Sequence, residues 1–166
     1  MIQNKLKPGG LFIQPASTDD GATLGAALLA YFKYSKNNIK IKQREVVYLG
    51  PSYSEREVVK AFKKHSLKYK KVSSMEKVVA KKLASGKIVA WFQGRAEFGP
   101  RALGNRSILA NPQISEMKDV LNSKVKFRES FRPFAPAVIE GEAKKYFEIE
   151  TNSPYMLLTA KVKPKY

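Results

Sequence analysis

The chain has no cysteine, one histidine and one tryptophan, and only 14 acidic residues against 31 basic ones in 166 positions. Without cysteine there is neither a disulfide framework nor a thiolate metal site, a composition that fits a reducing compartment. The single histidine, His65, falls on a lysine-rich amphipathic segment and reads as plain surface. Long apolar runs are also missing. The longest, near residues 24–32 and 88–92, fall well short of the roughly 20 residues that a membrane helix requires. The first residues, MIQNKLKPGGLFIQPAS, hold no apolar segment of the signal-peptide type, so a soluble, cytoplasmic protein with no membrane partner is expected. No GxxxxGK[ST] string is present, which excludes a Walker phosphate loop. There is no internal repeat and no low-complexity tract.

What is present is enough for a folded domain. The chain is 43% hydrophobic, and its length allows one ordinary core. A formal net charge of +17 favours polyanions, whether nucleic acid or acidic metabolites such as nucleotides. A series of lysines at 60, 63, 64, 68, 70 and 71 is either a solvated face or a polyanion-binding patch. The basic residues are unevenly divided. Twenty-four are lysine and seven are arginine, and five of those seven lie between Arg95 and Arg132. A guanidinium is a planar fork that grips two oxygens of a phosphate or carboxylate together. Arginines gathered among glycines and prolines therefore point to an anion pocket.

The pattern of the chain predicts alternating helices and strands. Residues 11–13 read as a short strand, followed by a polar turn at 17–21 and a small-residue helix at 22–34. Residues 35–45 are polar and basic and form a linker. Ser54 with Glu57, and Ser73 with Glu76, have capping-box spacing, which predicts helices over 55–65 and up to Ala84, the second ending at Gly86. KIVAWFQ at 87–93 reads as a strand buried on both faces, with Trp91 in the core or beside a nucleotide. Met117, Val120 and Leu121 have helical spacing. Residues 135–139 and 155–162 read as strands with a short helix at 140–146 between them. The expected class is α/β (α+β).

Two blocks carry the chemistry: GRAEFGPRALGNRSILANP from Gly94 and LNSKVKFRESFRPFAPAVI from Leu121. Glycines 94, 99 and 104 free the first block to approach a ligand, and Pro100, Pro133 and Pro136 stiffen both. Arg101, Lys126 and Arg132 converging on one pocket would neutralise a phosphate and stabilise charge developing in phosphoryl or acyl transfer. The alternative is that arginines here, Arg95 and Arg106 above all, pair with Glu97 or Glu129 as internal struts.

These strings resemble the carboxy-terminal domain of the O-carbamoyltransferases of nodulation and antibiotic tailoring, from about Tyr48 (YLGPSYSEREV) to the end of the chain. The resemblance implies a partial YrdC-like domain at 46–166, its amino-terminal two-thirds, with a mixed sheet and flanking helices. Residues 1–45, where LFIQPASTDDGATLGAALLAY is similar to the family's last strand, turn and helix of a Kae1-like domain, would be a remnant of an actin-like ATPase fold plus linker. It implies that carbamoyl phosphate and ATP are bound and give carbamoyl-adenylate, whose carbamoyl group passes to a hydroxyl in making a secondary metabolite or modified saccharide. Arg101, Lys126 and Arg132 would be catalytic and substrate-binding, with Arg95 and Arg106 as further substrate contacts. No side chain reads as a covalent nucleophile, so exchange between bound substrates is expected. Asp19 stands where the family places a divalent-metal ligand, and its histidine partners are missing from this sequence, so an incomplete metal site is expected. The family's His-Val-Asp-Gly-Thr-x-Arg and Asn-Thr-Ser-Phe-Asn segments are likewise missing. The chain is thus expected to be a central slice, truncated at both ends, whose completion calls for a separate polypeptide. The alternatives are a basic nucleic-acid-binding module and an inactive fragment.

Overall fold

The computed structural model describes residues 13–35 and 47–166. Most of the 35–45 linker, and residues 11 and 12 of the first expected strand, lie outside the described residues, while Ile13 is irregular. Helix α1 spans Asp19–Tyr34, three residues earlier than its apolar pattern begins. Asp19 and Asp20 occupy its first turn, where carboxylates complement the helix dipole. The Thr18 hydroxyl donates to Asp20 Oδ2 at 3.2 Å, so Asp20 serves the turn from inside the helix.

Helix α2 (Glu55–Lys64) forms the expected capping box. Ser54 Oγ accepts the Glu57 amide, and Glu57 returns its carboxylate to the Ser54 amide at 2.8 Å. His65 closes the helix and is exposed. Helix α3 (Met75–Ala84) starts one residue later than its Ser73–Glu76 spacing implies, with Ser74 as N-cap and no side-chain cap bond. Gly86 follows it at φ +78°, the left-handed stop that glycine permits.

Strand β1 (Val89–Phe92) pairs antiparallel with β2 (Arg106–Leu109), in the register Val89 to Leu109 and Phe92 to Arg106. Val89 and Trp91 are half-buried while Ala90 and Phe92 are exposed. β1 therefore has one covered face, against α3, and not the two that its apolar run predicts. After β2 come α4 (Met117–Val120), a wider π-type turn (Leu121–Lys126), a 3-10 turn (Glu140–Glu142) and α5 (Ala143–Tyr146). The fold is α+β, with a two-stranded antiparallel sheet among the described residues where a mixed sheet was expected. Residues 135–139 join no ladder, and Pro136 within them lacks the amide that a ladder needs. Residues 155–162 contribute a single bridge, Val162 to Phe147. Met156, at φ +55°, breaks the extended run that a longer pairing requires.

Among the described residues the buried apolar ones are few: Ala16, Val47, Val79, Met117 and Leu121. Large apolar side chains such as Phe127, Phe131 and Ile139 are about four-fifths exposed.

Candidate functional site

Thirteen residues, 93–105, connect β1 to β2, and one carboxylate organises them. Glu97 Oε1 accepts the backbone amides of Leu103 at 2.8 Å, Asn105 at 2.7 Å and Arg106 at 3.2 Å. Burial pushes the Glu97 carboxyl up, and the amides of Asn105, Leu103, Glu97 itself and Arg106 more than offset this, holding it below the ordinary carboxylate range. The Asn105 side chain closes the same loop, donating to the Arg95 carbonyl at 2.7 Å and accepting from Gln93 Nε2 at 3.1 Å. Gly94, Gly99 and Gly104 all have positive φ. Their freedom is spent on folding the loop around Glu97, and the amides of residues 103, 105 and 106 are turned inward.

The loop is also fastened to residues 47–51. Ala96 and Phe98 donate to the Pro51 and Val47 carbonyls, Gly50 donates to the Ala96 carbonyl, and the Tyr48 hydroxyl donates to the Leu103 carbonyl at 3.0 Å. A Cβ on Gly50 would stand 2.8 Å from the Ala96 Cβ, so only glycine permits that approach. Arg95 spans the seam, its Nε and Nη2 donating to the Gly50 and Leu49 carbonyls at 3.0 and 2.8 Å. Arg106 Nη1 donates to the Gln93 and Asn105 carbonyls, and Nη2 to those of Pro51 and Gly94. Its guanidinium also lies 3.5 Å from the centre of the Phe92 ring, the residue opposite it on β1. Arg95 and Arg106 are thus bound to backbone carbonyls, not to Glu97 or Glu129.

The second block is built around Asn122, which is 1% exposed. Its Nδ2 donates to the carbonyls of Ser130 at 3.3 Å and Arg132 at 3.1 Å, and its Oδ1 accepts Arg128 Nε at 2.8 Å. Its carbonyl accepts the amides of Phe127 and Arg128. Arg128 further donates to the Pro133 carbonyl and lies over the Phe134 ring at 4.6 Å. Phe127 is held at φ +48°, a left-handed conformation unusual for an aromatic residue.

The five arginines of the two blocks therefore fall into two groups. Arg95, Arg106 and Arg128 are committed to carbonyls. Arg101 and Arg132 are exposed, as is Lys126. Arg132 Nε meets Glu129 at 3.0 Å in a pair whose partners are both more than half exposed, the kind worth about 0–1 kcal/mol. Among the described residues the side chains of Arg101 and Lys126 have no ion pair or hydrogen bond. None of the contacts above joins Arg101 to Lys126 or Arg132. Asp19 is exposed, its carbonyl accepts the Thr23 hydroxyl, and among the described residues no three His, Cys, Asp or Glu side chains cluster to hold a metal. Away from both blocks, a shallow cavity of about 390 Å³ is lined by Lys70, Lys71, Lys77 and Lys81, with Lys71 tied to Glu55 at 2.7 Å.

Sequence reasoning treated Glu97 only as a partner for arginine, and it passed over Asn122. At helical spacing Asn122 falls off the apolar face of Met117, Val120 and Leu121, so that pattern did not mark it as buried.

Residues 80–166, just over half of the chain and inclusive of both blocks, match the model of the carbamoyltransferase C-terminus. The chain belongs to the carbamoyltransferase family. It is 38% identical to nodulation protein NolO of Bradyrhizobium diazoefficiens, over 98% of this chain and 31% of that protein. It is 34% identical to the 3'-hydroxymethylcephem-O-carbamoyltransferase of Streptomyces clavuligerus, over 92% of this chain and 28% of that one. An uncharacterised protein of Synechocystis sp. is 42% identical over 92% of the chain and 26% of its own length. The chain thus spans about a quarter to a third of these curated relatives. No helix among the described residues is long and apolar enough to cross a membrane.

Proposed function

We propose that this chain supplies the carbamoyl phosphate site of a cytoplasmic carbamoyltransferase, with Arg101, Lys126 and Arg132 holding the phosphate. One observation carries the reading. Within the family-matched region, the arginines not committed to carbonyls are Arg101 and the loosely paired Arg132, and Lys126 stands uncommitted on the same block as Arg132. Carbamoyl phosphate carries two negative charges, and its carbonyl gives up phosphate readily only when the charge left on the departing oxygen is neutralised. Arg101 and Arg132 offer forks for two oxygens each, and Lys126 adds a compact charge beside the leaving group. Arg132 reaches the substrate by exchanging a weak surface pair with Glu129 for a stronger charge-assisted contact. Arg95 and Arg106 act in this reading by holding the loop that carries Arg101.

ATP is the second substrate in this proposal, giving carbamoyl-adenylate for transfer to a hydroxyl. A hydroxyl acceptor is supported by the relative named for O-carbamoylation of a hydroxymethylcephem. A secondary metabolite or a modified saccharide is the acceptor class proposed, with further polypeptide completing the pocket. Among the described residues Asp19 belongs to no group of three His, Cys, Asp or Glu side chains, so the residues present there do not fit a metal.

Nucleic-acid binding is the second reading, and the lysine-lined cavity at residues 70–81 favours it. Calorimetric titration of carbamoyl phosphate into the intact chain separates the two. Arg101→Ala and Arg132→Ala should each abolish binding, while Lys63→Ala and Lys70→Ala should leave it intact; the reverse ranking refutes the pocket. Binding of a polyanion through the lysines should instead fall steeply with salt.

A further inference from the structure

The structure assigns Asn122 the role of positioning residue for the cations Lys126 and Arg132; the inference rests on the phosphate-binding reading above. Asn122 is the buried polar side chain of the described fold, and every hydrogen bond of that side chain serves the loop that follows it. Both amide hydrogens are used, one on the Ser130 carbonyl and one on the Arg132 carbonyl. Its side-chain oxygen takes Arg128 Nε, which fixes which way the amide faces. Its backbone carbonyl takes the Phe127 and Arg128 amides, one and two residues beyond Lys126.

A single buried group therefore fixes the backbone on both sides of the loop. Lys126 ends the π-type turn that contains Asn122, and Arg132 is tethered through its own carbonyl. An apolar side chain of equal volume would fill the same space. It would leave two carbonyls and an arginine Nε without partners, and the loop would then re-form around other contacts. The left-handed Phe127 makes this more acute, because that conformation persists only while its surroundings enforce it. Asn122 touches no ligand in this scheme. It sets the distance between two charges that do.

The test uses the intact chain, with carbamoyl phosphate as titrant and inorganic phosphate as a second probe. Asn122→Asp keeps the shape and the acceptor for Arg128 but removes both donors. It should raise Kd by at least tenfold with stoichiometry unchanged, whereas loss of folded protein alone would lower stoichiometry and leave Kd where it was. Arg128→Lys, which leaves Asn122 in place but frees its amide to turn, is measured in parallel in case Asn122→Asp does not fold, and should raise Kd severalfold. If Arg132→Ala weakens binding while Asn122→Asp and Arg128→Lys do not, the positioning role is refuted and the phosphate site stands. If Arg132→Ala itself leaves Kd unchanged, the phosphate-binding reading fails and the role of Asn122 goes with it.

Discussion

Replacing Glu97 with glutamine tests the organisation of the first loop with the smallest change in shape. The carboxylate accepts two short amide bonds, from Leu103 and Asn105 at 2.8 and 2.7 Å, and a longer one from Arg106 at 3.2 Å. Hydrogen bonds to a charged acceptor are worth about 1.5–3 kcal/mol and neutral ones about 0.5–1.5. Glutamine keeps an acceptor in place, so the two short bonds lose roughly 1 kcal/mol each and the long one little. The loop is half-buried, and water competes for part of this. The expected loss is about 1–2 kcal/mol near neutral pH, or roughly 3–8 °C in Tm for a chain of this size. The pH dependence supplies the sign. The Glu97 carboxyl is held below its ordinary value of 4.5, so its contribution is present above that pH and disappears as pH falls through the lowered folded value. The gap in Tm between the parent and Glu97→Gln should therefore be full at pH 7 and smaller at pH 3, below the ordinary carboxylate value. Thermal melts followed by circular dichroism at both pH values measure the gap, and amide exchange at residues 103, 105 and 106 locates it. A gap as large at pH 3 as at pH 7, or amides that exchange no faster in the variant, would show that Glu97 does not hold this loop.

Two further substitutions probe the seam. Gly50→Ala should destabilise by about 1–3 kcal/mol, because its Cβ meets the Ala96 Cβ at 2.8 Å and carbonyl oxygen at 3.0 Å; Gly25→Ala in α1, with nothing within 4 Å, should instead be neutral or stabilise by up to about 1 kcal/mol, and chemical denaturation compares the two. Arg106→Lys should cost about 2–3 kcal/mol despite keeping the charge, since an ammonium cannot reach four carbonyls and cover the Phe92 ring together; an unchanged denaturation midpoint would mean that charge alone is what position 106 supplies.

The parts of the fold that local chemistry decides were legible in the residues themselves. Ser54 with Glu57 specified the start of α2, and Gly86 the end of α3, because caps and left-handed stops depend on neighbours in sequence. The KIVAWFQ run showed a strand but not its surroundings: continuous apolar residues read as burial on two faces, and one face of β1 is open. β2 was hidden because its first residue, Arg106, belongs to a block whose glycines and arginines read as loop. Residues 135–139 have strand composition, yet a strand exists only where a partner offers a ladder. At the site, the clustering of arginine was visible and its division was not. Which guanidinium faces a carbonyl and which faces solvent depends on residues 47–51 folding back on the loop from some fifty positions away. Family resemblance pointed to Arg101, Lys126 and Arg132, whereas the groups that shape their loops, Glu97 and Asn122, came only from the hydrogen bonds.

Ala16, only 2% exposed, is wedged between two glycines. Gly21, in the first turn of α1, closes on its carbonyl, and Gly99, at φ +121° just before Pro100 and Arg101, lies against its methyl group. Neither glycine position has room for a side chain to cushion the contact. The residues just before Arg101 and the first turn of α1, where Asp19 and Asp20 lie, therefore share one buried contact. One methyl group thus packs the stretch leading into Arg101 against the root of the helix.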